Sequence, residues 1–222
     1  MGLAAQYHSA GSPDAKEPVL DQLRTLAGGN SGDANVQLIA AQCFLDAGHT
    51  KDALQCVHSG ATMEQIAICL LVYLKIDRLD LAQQSLRQLK QTDEDAVLTQ
   101  LGSIYCSLAT GASAAADALH SVNTLLEQYG PSPLLLNLTA CSLMSQGNYA
   151  EAEQRLQECL QEFPENIIPD TLINLVVCSQ HQQKDVGSYL AQMKSRYPSH
   201  PFCTGVERVQ AAFGREMGKY KI

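Results

Sequence analysis

The sequence predicts an all-α fold, a solenoid of helical hairpins stacked one on the next. Two features carry that prediction. Apolar residues recur at helical spacing in segment after segment, and no stretch alternates as a strand does. Small residues also recur at one place in successive segments, where two helices must come close. The clearest segment is Pro133–Pro164, PLLLNLTACSLMSQGNYAEAEQRLQECLQEFP. Leu136, Ala140 and Leu143 share one face of a first helix, and Ala152, Leu156 and Cys159 share a face of a second. A Gly147-Asn148 turn separates the two helices, and Pro164 closes the unit.

The remaining elements follow in order. Residues 16–28 read as one helix stopped by Gly28-Gly29. Asn35–Ala47 and Thr50–Ser59 form a hairpin about Gly48-His49, with Ala41 and Ala53 spaced as Ala140 and Ala152 are. Thr62 is placed to cap the next helix, with Gln65 completing a capping box. That helix runs to Ile76, turns at Asp77-Arg78-Leu79-Asp80, and continues as LAQQSLRQLKQ. Asp93-Glu94-Asp95 sets negative charge at the start of a helix over 96–110, where the helix dipole favours it. Gly111–Ala114 is a longer turn before a helix over 115–129. After Pro164, Asp170 is expected to cap DTLINLVVCSQHQQ, and a helix over 184–197 follows. The equivalent alanines Ala53, Ala82, Ala118 and Ala152 are separated by unequal steps of 29, 36 and 34 residues, the mark of degenerate repeats. Large, small and large apolar positions, a turn, then Ala, apolar, small and Pro at about this period form the tetratricopeptide pattern. The whole of 1–222 therefore reads as a single solenoid, with a helix over 202–219 as its C-terminal cap. Residues 1–28 hold only about one helix pair, so the chain is expected to be a fragment or short form lacking earlier repeats.

Composition narrows the function. The chain of 222 residues is 45% hydrophobic, enough to bury a core, and carries a net charge of −8. An acidic balance argues against a nucleic-acid partner and against direct polybasic membrane attachment. The start has neither a signal-peptide pattern nor, with Gln6 at its sixth position, a myristoylation motif. The 8 cysteines are scattered without a CxxC pair and read as reduced core thiols. The 6 histidines lack metal-ligand spacing. No GxSxG, HExxH or GxxxxGK[ST] motif is present, and the Gly28–Gly32 run has no Lys where a phosphate loop needs one. No cofactor or catalytic residue is nominated, and the Asn137-Leu138-Thr139 sequon reads as chance within a helix.

In tetratricopeptide solenoids the first helices line the concave surface. Of these helices here, only one carries a cation, Lys75, at its very end. A carboxylate clamp of the co-chaperone type needs Lys or Arg there. The concave face instead offers Gln42, Gln100, Asn137 and Asn174, either as ordinary solvated positions or as a neutral groove that holds another protein.

Four stretches are more specific than a repeat framework. They are LKIDRLDLAQQSLRQLKQTDEDAVLTQL (Leu74–Leu101), SLATG (Ser107–Gly111), LLLNLTACSLMSQGNYAEAEQRLQECL (Leu134–Leu160) and TLINLVVCSQH (Thr171–His181). They closely resemble the coatomer epsilon-subunit family, over most of the chain from about Ala34 onward. The resemblance implies a non-enzymatic subunit of the COPI vesicle coat that binds the C-terminal region of the alpha subunit. It also implies a cytoplasmic protein, peripheral on Golgi membranes and vesicles through the coat. The transport served would be Golgi-to-ER and intra-Golgi, and further helical repeats would lie ahead of residue 1. The alternative is a generic tetratricopeptide adaptor or co-chaperone for another peptide. A Cys-dependent enzyme lacks an evident His or Lys partner for any thiol.

Overall fold

The computed structural model describes residues 2–10 and 13–220. Among them lie thirteen α-helices and no strand: α1 Leu3–Ser9, α2 Pro13–Gly29, α3 Ala34–Ala47, α4 Thr50–Val57, α5 Met63–Lys75, α6 Leu79–Thr92, α7 Val97–Thr110, α8 Ala115–Tyr129, α9 Pro133–Ser145, α10 Tyr149–Glu162, α11 Pro169–His181, α12 Gly187–Arg196 and α13 Pro201–Met217. The chain divides into two compact units, one ending at Ser121 and the other beginning at Val122.

One turn chemistry builds the hairpins of both units. At the ends of α3, α5, α9 and α11, one residue adopts a left-handed conformation: Gly48, Asp77, Gly147 and Gln183. The next amide then reaches back five residues: His49 to Phe44 O, Arg78 to Tyr73 O, Asn148 to Leu143 O and Lys184 to Ser179 O, all at 2.8–2.9 Å. The left-handed residue itself donates three residues back. This paired bonding is a Schellman motif, which satisfies carbonyls that a helix end would otherwise leave bare. Five residues beyond the left-handed position stand Ala53, Ala82 and Ala152, each 0% exposed. The small side chain is needed there because the second helix folds straight back onto the first.

The unequal repeat steps have local causes. After α7, Gly111 adopts φ 97°, ψ −158° and a 3-10 turn, Ala112–Ala114, is inserted before α8. That displaces Ala118 from the place its counterparts occupy. The short step into Ala82 reflects α4, 8 residues long where α6 and α10 have 14.

Three expected helix starts differ in detail. Thr62 Oγ1 accepts the Gln65 amide, but the Gln65 side chain accepts from Ala61 rather than from Thr62, so the capping box is only half formed. The cap of α11 is Ile168, with Pro169 at the first helical position. Asp170 sits inside the first turn, where it acts through its charge and not as a cap. The helix expected from Lys184 starts at Gly187, because Asp185 Oδ1 accepts the Gly187 amide at 3.2 Å and closes an Asx turn that competes with helix.

In the first unit, Tyr7, Leu20, Leu23, Ala41, Phe44 and Ala53 form one buried cluster, and Leu70, Ala82, Leu89 and Cys106 form another. Tyr7 is fully buried, and its hydroxyl donates to Asp46 at 2.7 Å, which joins α1 to α3. Arg24 of α2 donates to Asp52 of α4 through Nε and Nη2 at 2.9 and 2.8 Å. Gly102 lets α7 approach α5 and α6. A Cβ there would lie 3.1 Å from a Leu70 methyl and 3.5 Å from a Leu86 methyl. In the second unit, Leu172, Met193 and Cys203 are buried together under Ile167, Tyr189, Tyr197 and Phe202, and the Tyr197 hydroxyl donates to Ile167 O.

Candidate partner-binding surfaces

The first helices of the first unit, α3, α5 and α7, lie side by side and leave a groove of about 520 Å³ between them. Leu38, Leu45, Ile68, Leu71 and Leu98 give it an apolar floor, and Gln42, Asp46 and Glu64 give it polar and acidic edges. A smaller apolar hollow of about 170 Å³ continues between α5 and α7 toward Leu101 and Tyr105. α5 is apolar nearly all round: one stripe packs inside the hairpin and the other faces this groove. A helix apolar on every side signals a second buried face. That signal was available in IAICLLVYLKI, yet sequence reasoning nominated only amides.

Among the described residues lining this groove the sole cation is Lys75, and its ammonium is already bonded to the Leu45 carbonyl at 2.6 Å, at the C-terminal end of α3; at the edge, Lys16 stands 3.8 Å from the Asp46 carboxylate. Of the nominated amides, Gln42 is exposed and lines the groove. Gln100 is half-buried, and its Nε2 donates to Asp95 O at 3.0 Å, back at the start of its own helix.

The second unit treats its amides differently. Asn137 is 5% exposed. Its Nδ2 donates to Pro133 O at 2.7 Å and to Thr171 Oγ1 at 2.8 Å, and its Oδ1 accepts from Asn174 Nδ2 at 3.1 Å. Asn174 also donates to Cys141 Sγ at 3.6 Å. These bonds form a polar seam that joins α9 to α11, in which Asn137 and Thr171 are buried while Asn174 and Cys141 are half-buried. The structure therefore brings Asn137 and Asn174 together in the second unit, while Gln42 and Gln100 belong to the first. Asn137 is spent on that seam.

A second polar contact supports the same unit. Glu153 of α10 is 7% exposed and accepts from Lys184 Nζ at 2.5 Å and Gln182 Nε2 at 2.8 Å. Burial pushes its pKa up, but the two hydrogen bonds and the Lys184 charge outweigh that and hold the carboxyl below its ordinary range. The thiols of Cys69, Cys106 and Cys178 are pushed up to about 11 by burial, which keeps them protonated and unreactive at neutral pH. Among the described residues no cluster of His, Cys, Asp or Glu could hold a metal ion. No helix among them is long and apolar enough to cross a membrane.

A family model described as the coatomer epsilon subunit matches residues 3–221. The chain belongs to the coatomer epsilon-subunit family. Coatomer subunit epsilon-1 of Arabidopsis thaliana is 36% identical over 220 residues, 98% of this chain and 74% of that relative. Coatomer subunit epsilon-2 of the same plant is 34% identical over 215 residues, 96% of this chain and 72% of that one. Membership places the chain among structural coat subunits and not among enzymes. A tetratricopeptide repeat protein from Parabacteroides merdae superposes with a TM-score of 0.73 at 13% identity, covering 85% of this chain and 75% of that one. That likeness bears on the fold alone and agrees with the all-α repeat architecture.

Proposed function

We propose that this chain is a subunit of the COPI vesicle coat that binds the C-terminal region of the alpha subunit. Through the coat it supports Golgi-to-ER and intra-Golgi transport. On this reading it is cytoplasmic and meets the Golgi membrane only through its partners. The same reading takes the chain as one array of hairpins ending in α13. The observation that carries the binding role is the groove of α3, α5 and α7. Its floor is half-buried leucine, its edges are neutral or acidic, and the one cation among its described lining residues, Lys75, is committed to a helix end. Such a groove suits an apolar protein segment presenting amides or basic groups, held by burial and edge hydrogen bonds. It does not suit a terminal carboxylate, and that weighs against the co-chaperone alternative.

The test is co-purification with the isolated C-terminal region of an alpha subunit, with a full-length family member as control. Near-equimolar recovery is expected, and it should drop sharply for Leu71→Asp while Lys75→Ala binds as the parent does. Recovery of chaperone peptides in place of the alpha region, or a dependence on Lys75, would overturn the reading.

A further inference from the structure

A polar pocket of about 360 Å³ opens on the face of α5 opposite the groove, between the end of α4 and the wall of α6. Its origin is the length of α4. That helix stops at Val57 after 8 residues, whereas α6 runs for 14. At 1.5 Å per residue the shortfall is about 9 Å of helix. His58, Ser59 and Gly60, which follow α4, face α6 across the gap. Ile66 and Cys69 of α5 and Leu81 of α6 supply the apolar part of the lining.

The polar part of the lining is left open. Gln84, Gln88 and Gln91 recur at helical spacing along α6, and among the described residues no hydrogen bond reaches their side-chain amides. Exposed glutamines ordinarily meet only solvent. Ser85, between them, is 5% exposed, and its hydroxyl also has no hydrogen bond among the described residues. Hydroxyls inside helices of this chain commonly turn back to the carbonyl four residues earlier, as those of Thr92, Thr110, Thr139 and Ser142 do. The Ser85 hydroxyl makes no such bond and lines the pocket instead. No buried side-chain oxygen among the described residues is sealed off without a partner, so this hydroxyl opens into the pocket. A polar group so nearly buried costs stability unless something bonds it.

We propose that this pocket binds an extended, uncharged segment of a partner protein through the segment's backbone amides and carbonyls. Charge and hydrogen bonding select that occupant. No carboxylate, ammonium or guanidinium lines the pocket. Arg87 and Lys90 of α6 lie outside the lining, and Arg78, near Tyr73, is paired with Asp80 at 2.7 Å. A charged ligand would therefore lose water without gaining a counter-charge. An apolar ligand would strand the amides and the Ser85 hydroxyl. Primary amides donate and accept at once, as peptide groups do. His58 Nδ1 donates to Gln55 O at 2.8 Å, which leaves Nε2 of the neutral ring as a further acceptor. The row from Gln84 to Gln91 covers about 10 Å, the length of three extended residues. Because the pocket and the groove use different faces of α5, this inference stands apart from the coat-assembly reading.

The experiment titrates the full chain, labelled with nitrogen-15, with a capped hexapeptide of glycine, serine, asparagine and glutamine. Two analogues carry aspartate or lysine in place of the amide residues. The side-chain amide signals of Gln84, Gln88 and Gln91 should shift and saturate at peptide concentrations on the order of millimolar. Both charged analogues should bind at least roughly tenfold more weakly. Gln88→Ala and, separately, Ser85→Ala should each weaken binding roughly threefold to tenfold. The melting temperature of Ser85→Ala should hold or rise, because the hydroxyl it removes has no partner in the free chain. A lower melting temperature with parent-like binding would assign Ser85 to folding and overturn the proposal. So would shifts that do not saturate or that centre elsewhere. Binding of either charged analogue as tight as that of the neutral peptide would overturn it too.

Discussion

The first helices of the two units start from the same pattern and end in opposite uses. In the first unit, α3, α5 and α7 leave a groove floored by the half-buried Leu38, Leu45, Leu71 and Leu98, with Gln42 exposed at its edge. In the second, α9 and α11 are zipped together by Asn137, Asn174, Thr171 and Cys141, and little polar capacity is left over. Two neighbouring first helices can meet through leucines that leave a groove or through amides that close it. A repeat pattern records that a residue lies off the main apolar stripe. It does not record whether a neighbouring hairpin arrives there.

The largest test of that contrast sets Asn137→Asp against Gln42→Glu. At 137 the change puts a charge in a buried seam and removes the donor to Pro133 O and Thr171, so a loss of about 3 kcal/mol is expected by urea denaturation. At 42 the added charge meets solvent, and stability should hold within about 0.5 kcal/mol. Equal, small effects at both sites would mean that the seam contributes nothing and that Asn137 is available to a partner.

A step smaller is the contact that holds α10 to the turn after α11. Lys184→Met leaves Glu153 buried with only Gln182 as donor, and about 1–2 kcal/mol should be lost at neutral pH. The sign with pH follows from the depressed pKa of Glu153. The stabilisation is complete above the unfolded carboxylate range, near pH 4.3, and is lost as pH falls through the lower folded value. Protection factors of the α10 and α11 amides, taken relative to the intrinsic exchange rate at each pH, should therefore fall in acid for the parent chain. The fall should be smaller in Lys184→Met. An identical acid response in both would remove Lys184 as the cause.

The sequence disclosed the hairpins because their determinants are local. Gly48 and Gly147 mark left-handed turns, and Ala53, Ala82 and Ala152 mark helix crossings. Both kinds of residue are chosen by backbone sterics within a few positions. Asp170 and Lys184 were misplaced because their local signals competed with others, Pro169 at a helix start and Asp185 in an Asx turn. The candidate site was less legible. Asn137 and Gln42 look alike in the chain, and only the packing of a helix some thirty-four positions away separates them. The floor of the groove was visible as an overly apolar α5, a signal that core packing would equally explain.

The smallest effects belong to what the units share. Each has one glycine and one non-glycine in the left-handed turn position: Gly48 and Asp77 in the first, Gly147 and Gln183 in the second. A side chain at such a φ costs about 1–2 kcal/mol, partly offset because glycine loses more entropy on folding. Asp77→Gly and Gln183→Gly should each therefore gain about 0.5 kcal/mol, and Gly147→Ala should lose about 1 kcal/mol. Because the turns have the same hydrogen bonds, the two gains should match within about 0.3 kcal/mol, read as shifts in urea midpoint. Matching gains would locate the difference between the units in the helix faces alone. A gain confined to one unit would show that its turn is held by something beyond the Schellman bonds.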